Sequence, residues 1–123
     1  MDILVATEKE AVWDAFSHYV RDKGSVFTTV ATLGAVQTHL RTTPPDLIIL
    51  DIQLEDKALA EAVISLLKIN AGVHTAVVTT MPEEAFHTKT EGLGILMSLP
   101  KNPTAKDAET VLAKLASLHP SHD

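Results

Sequence analysis

Four places in the chain carry side chains that could do chemistry together: Thr7-Glu8, Asp51, Thr79-Thr80 and Lys101. They offer two carboxylates, several hydroxyls and one ammonium. Two carboxylates about 4 Å apart repel by roughly 4 kcal/mol at an effective dielectric of 20, so such a pair wants a cation or a shared proton. Hard carboxylate oxygens suit Mg²⁺, which keeps several waters and uses one or two protein carboxylates together with phosphate oxygens. A hydroxyl and a lysine facing that cation would complete a pocket for a phosphoryl group. Asp51 stands out because the apolar run Leu47-Ile48-Ile49-Leu50 stops abruptly at its carboxylate. The competing role for Asp51 is to cap the next turn, since Asp oxygens readily accept backbone N–H bonds.

These groups meet only if the chain brings them to one edge. In open α/β sheets that edge lies outside the carboxyl ends of the strands. Leu47–Asp51 has no polar alternation, which suits a strand buried on both faces of a parallel sheet. Pro44-Pro45 before it forbids helix and marks the strand entry. Ile3–Ala6 is a second short apolar run. Helical spacing then extends from Glu8 to Lys23, with Thr7 as N-cap, Gly24 as terminator and Val12, Phe16, Tyr19 and Val20 on one face. Trp13, the single tryptophan, lies beside that stripe and is expected to pack.

Ser25–Thr32 is rich in β-branched residues with polar admixture, which suits a strand near the sheet edge. A helix with Leu33, Val36 and Leu40 follows. Glu55–Asn70 reads as a strong helix ended by Gly72, and Thr75–Thr80 as a strand finishing in hydroxyls. Pro82-Glu83-Glu84 opens a weak helix over Glu83–Thr90. Ile95–Leu99 is the last strand, and Pro100-Lys101-Asn102-Pro103 a loop. Thr104 caps a final helix whose core face is Ala108, Val111, Leu112 and Leu115. The domain is expected over 1–118, with 119–123 as a frayed tail. Strict strand–helix alternation implies an α/β, doubly wound, five-stranded parallel sheet covered on both faces.

Composition narrows the function. The 123 residues suit one domain with a real core, at 46% hydrophobic and 21% charged. No cysteine is present, which removes disulfides, thiolate zinc sites and cysteine nucleophiles. Net charge is −6, with 10 basic and 16 acidic residues and no Lys/Arg run, so direct nucleic-acid binding is disfavoured. The apolar runs are too short to span a bilayer, and no signal-peptide pattern opens the chain. A cytoplasmic protein is the expectation. The six histidines are scattered, and no G-x-G-x-x-G loop or nucleophile elbow appears, which argues against a nucleotide enzyme or hydrolase.

Over essentially its whole length the chain resembles the receiver domain of bacterial two-component response regulators. Asp51 matches the family's phosphoaccepting aspartate after the third strand. Thr79, with Thr80 as the alternative alignment, matches the hydroxyl ending the fourth. Lys101 matches the lysine after the fifth, and Thr7-Glu8 falls on the acidic pair after the first. The resemblance implies a flavodoxin-like (βα)5 fold with strand order 2-1-3-4-5. It implies phosphoryl transfer from a histidine kinase or phosphotransfer protein to Asp51, with Mg²⁺ on Glu8, Asp51 and the Gln53 backbone carbonyl. The enzyme activity implied is at most self-catalysed phosphotransfer and autodephosphorylation. Output would pass to a downstream protein partner, and the face of the fourth helix, fifth strand and fifth helix is where such a domain would read out or form a homodimer.

Four departures accompany the resemblance. Thr7 replaces one acid of the pair, so Mg²⁺ should bind more weakly. The usual proline after the phosphorylated loop is Glu55. The usual Lys-Pro pair is Lys101-Asn102, with Pro103 one residue late. The aromatic switch position of the last strand is Ser98. These departures favour an alternative: a pseudo-receiver that works as a protein–protein interaction module without phosphorylation. A flavodoxin-like cofactor carrier is a third reading, opposed by the missing glycine-rich phosphate loop.

Overall fold

A computed structural model describes residues 1–54 and 56–118. Five strands, β1 (Asp2–Thr7), β2 (Val26–Val30), β3 (Leu47–Asp51), β4 (His74–Val78) and β5 (Ile95–Leu99), alternate with α1 (Asp14–Asp22), α2 (Leu33–Thr42), α3 (Asp56–Ile69), α4 (Glu83–Thr90) and α5 (Ala105–Leu118). All strand pairs are parallel, in the order β2-β1-β3-β4-β5. Doubly wound topology and strand order agree with the expectation, and β2 lies at an edge as its polar admixture suggested. The expected tail, 119–123, with His119 and His122, lies outside the described residues, as does Glu55.

Strand alternation sorts the core into two layers. Ile3, Val5, Leu47 and Ile49 face one side and pack with Phe16 and Val20 of α1 and Val111 and Leu115 of α5. Leu4, Ala6, Ile48 and Leu50 face the other and meet Val36 and Leu40 of α2 and Val63 and Leu66 of α3. β1 and β3 therefore carry apolar side chains on both faces, which explains why neither run alternates. Thr104 closes α5 reciprocally. Its hydroxyl accepts from the Asp107 N–H at 3.3 Å, and Asp107 Oδ2 accepts from the Thr104 N–H at 2.8 Å.

The first helix differs from expectation. Helical structure does not begin at Glu8, and Thr7 caps nothing. Thr7 is the last residue of β1 and sits in register with Asp51 of β3. A 3-10 turn over Glu10–Trp13 then precedes α1. The physical reason is that sheet pairing claims Thr7, so the chain needs a tight turn before a helix can start. β4 stops at Val78, although the Thr79 N–H still reaches the Leu99 carbonyl at 2.9 Å. α4 is short as expected, and buries only Phe86 and Thr90. No helix among the described residues is long and apolar enough to cross a membrane.

Candidate functional site

Register and alternation position the site. Thr7 and Asp51 are cross-strand partners, and both point to the α1–α5 side, in phase with Val5 and Ile49. The Thr7 hydroxyl donates to Asp51 Oδ2 at 2.8 Å. The Trp13 indole Nε1–H donates to the same oxygen at 2.9 Å. Thr7 Oγ1 in turn accepts from the Lys9 N–H at 3.0 Å, a local turn that follows β1. Thr7 is 4% exposed and Trp13 1% exposed, so both donors are withdrawn from water. Hydrogen bonds to a charged group contribute roughly 1.5–3 kcal/mol each, more than neutral pairs.

Trp13 is held from below. Its ring meets Phe16 edge-on at 5.0 Å between centroids and lies 6.2 Å from Phe27. The indole thus sinks its apolar body into the core and presents its single polar atom to Asp51. Sequence reasoning gave Trp13 a packing role and missed the carboxylate. The available signal was a lone buried tryptophan, whose N–H needs an acceptor, near the end of β1.

The remaining candidates gather around a crevice of about 650 Å³ at the carboxyl ends of the strands. Asp51, Glu8, Gln53, Thr79, Thr80 and Lys101 all line it, together with apolar residues such as Leu54, Leu59 and Phe86. Thr79 is half-buried, and its Oγ1 accepts from the Met81 N–H at 3.1 Å, which leaves the hydroxyl proton to donate. Thr80 is exposed, as is Lys101, which makes no ion pair with Asp51. The loop around Lys101 contains no cis peptide, and Asn102 takes a left-handed φ of 57°, a conformation Asn tolerates better than most residues. Ser98 is half-buried on β5, in register with Val77.

A cation at this site would find hard oxygens, but few charges. Glu8 is exposed and shares the crevice with Asp51. Asp51 Oδ2 already accepts two hydrogen bonds, which leaves Oδ1 as the open oxygen. No three His, Cys, Asp or Glu side chains among the described residues gather into a metal-binding group. The donor chemistry fits a hard divalent ion, held by less charge than a full acidic pair would supply.

No protein-family model and no curated protein matches the sequence. Solved structures do. The chain is similar to a CheY-like response regulator receiver domain protein from Methanospirillum hungatei, at 20% identity and a TM-score of 0.76, covering 96% of this chain and 95% of that one. It is similar to a two-component response regulator from Clostridium difficile, at 13% identity and a TM-score of 0.76, covering 98% of each chain. It is also similar to a protein described as a CpaE2 pilus assembly protein from Sinorhizobium meliloti, at 16% identity and a TM-score of 0.77, covering 94% of this chain and 99% of that one. At these identities the likeness establishes the fold, which is that of CheY-like receiver domains. Because a pilus assembly protein shares it, the fold by itself does not select a function.

Proposed function

We propose that this chain is a receiver domain of two-component signalling, in which Asp51 accepts a phosphoryl group from a phosphohistidine and the product signals through a protein partner. One observation carries the reading. Asp51, Thr79, Lys101 and Glu8 are far apart in sequence, yet all line one crevice, with one Asp51 oxygen anchored and the other open. Asp51 attacks phosphorus, a P–O bond forms as the donor's P–N bond breaks, and the imidazole leaves with a proton. The Thr79 hydroxyl donates to one phosphoryl oxygen, while the Lys101 ammonium swings in from the rim to balance the added charge. Glu8, Asp51 and the Gln53 carbonyl would hold Mg²⁺, which supplies charge neutralisation of the phosphoryl oxygens when bound. Phosphorylation replaces a singly charged carboxylate with an acyl phosphate carrying close to two negative charges, and this change biases a two-state equilibrium.

A second reading has its own support. The Thr7 and Trp13 hydrogen bonds satisfy the Asp51 carboxylate without any cation. This is the arrangement expected of a phosphorylation-independent interaction module. Intact-protein mass after incubation with acetyl phosphate, with and without Mg²⁺ and beside Asp51→Asn, separates the two. A Mg²⁺-promoted phosphoryl adduct absent from the variant supports the phosphoacceptor. Failure to form any adduct at high Mg²⁺, with acetyl phosphate and with a phosphohistidine donor, overturns it in favour of the module.

A further inference from the structure

We propose that Trp13 is a positioning residue that couples the charge on Asp51 to the seating of α1, so that a change at Asp51 leaves the site through α1 rather than through β5. The proposal deepens the phosphoacceptor reading, but its central link can be tested without any phosphoryl transfer.

The link begins at Oδ2. A carboxylate oxygen is a strong acceptor because it carries half a negative charge. In an acyl phosphate the two former carboxylate oxygens become a carbonyl and a bridging ester oxygen. Whichever of them phosphorus takes, Oδ2 loses that charge and accepts more weakly. The two donors on it are buried, so neither gains water as a replacement partner. Thr7 can rotate its hydroxyl toward another acceptor. Trp13 cannot, because an indole N–H is fixed in its ring plane and donates only.

The second part is where Trp13 sits. It ends the 3-10 turn and immediately precedes α1, with φ −95° and ψ 6°, the bridge region between turn and helix. Its ring packs on Phe16 of α1 and Phe27 of β2, within the cluster that also holds Val111 and Leu115 of α5. A ring that shifts at this junction must move the first turn of α1, because close-packed interiors rearrange in discrete steps.

The third part is the weakness of the opposite route. Ser98 on β5 has no ring to bury or expose. The Thr79 side chain bonds only the Met81 N–H of its own turn, through its oxygen, and α4 buries only Phe86 and Thr90.

Trp13 is the only tryptophan, so its fluorescence reports the link directly. The experiment compares emission, acrylamide quenching and amide hydrogen exchange in the full chain for wild type, Asp51→Asn, Thr7→Val and Ser98→Ala. Asp51→Asn replaces the charged acceptor with a neutral one. The expected result is a shifted Trp13 emission, increased quenching and several-fold faster exchange over residues 10–16, with α4 and β5 unchanged. Thr7→Val should give a smaller shift in the same direction, and serves if Asp51→Asn does not fold. Ser98→Ala should leave the emission at its wild-type position. Unchanged emission and α1 exchange in both site variants would overturn the coupling, as would changes spread equally over α4 and β5. Phosphorylated protein, verified by mass, should reproduce the Asp51→Asn shift. Absence of the phosphoryl adduct counts against the phosphoacceptor reading, while the Asp51→Asn and Thr7→Val arms still decide the coupling.

Discussion

The two halves of the crevice are built differently. On the β1–β3 side Asp51 is held by two buried donors, one from the neighbouring strand and one from the core. On the β4–β5 side the Thr79 side chain bonds only within its own turn, Lys101 is exposed at the rim, and the flanking α4 has little buried surface. Preorganised hydrogen bonds fix geometry in advance. Exposed side chains on loops must instead be ordered when a ligand arrives, at an entropic cost. The contrast teaches that one half of the crevice holds the Asp51 carboxylate in a fixed orientation, while the other half, on the proposed function, is ordered only by an arriving phosphoryl group.

The sharpest way to break that contrast is at Trp13. Trp13→Ala should cost about 3–5 kcal/mol of stability, as large-to-small core substitutions do. Trp13→Phe keeps most of the packing and removes the N–H, so its cost should fall near 1–3 kcal/mol, the range for removing one partner of a charged hydrogen bond. Urea unfolding measures both, and a Phe variant as stable as wild type would show that packing alone matters there.

Paired substitutions on the two halves sharpen the comparison next. Thr7→Val should lose about 1–3 kcal/mol, because it removes a buried donor to Asp51. Thr79→Val should lose no more than about 0.5 kcal/mol, typical of a site with only local contacts. Equal losses would erase the distinction between the halves. Lys101→Ala should leave the unfolding midpoint nearly unchanged and lower the yield of phosphoryl adduct. That combination of an unmoved fold and a weakened reaction is expected of a side chain recruited only when the phosphoryl group arrives.

The smallest effect lies on α5, away from the site. Lys106 Nζ bonds Glu109 Oε1 at 2.8 Å on the surface, which raises the Lys106 pKa and lowers that of Glu109. The Glu109 contribution is present above the ordinary carboxylate range and is lost as pH falls through its lowered value. The Lys106 contribution is present below the ordinary lysine range and is lost as pH rises through its raised value. Both side chains face solvent, so Glu109→Gln should change stability only slightly, and less still at high salt, when followed by thermal unfolding.

The fold was legible because its signals are local. Leu47–Asp51 is a buried strand whose residues contain no competing pattern, and alternation gives the parallel sheet, while the strand order came from the resemblance to receiver domains. Asp51, Thr79 and Lys101 could be read together because strand ends converge in any doubly wound sheet. Two features were not legible, for the same reason. Whether Thr7 caps a helix or ends a strand depends on its register with Asp51, a contact 44 residues away. Whether Trp13 only packs depends on an acceptor 38 residues away. Spacing rules report neighbours along the chain, and these two choices are made across the sheet.

The central claim is that Asp51 takes the phosphoryl group, and borohydride trapping tests it most directly. The reagent reduces an acyl phosphate to an alcohol, so peptide mapping after treatment with acetyl phosphate and Mg²⁺ identifies the residue that carried it. The account predicts conversion of Asp51 to homoserine, dependent on prior phosphodonor. Recovery of Asp51 unchanged, or conversion at another carboxylate, would contradict it.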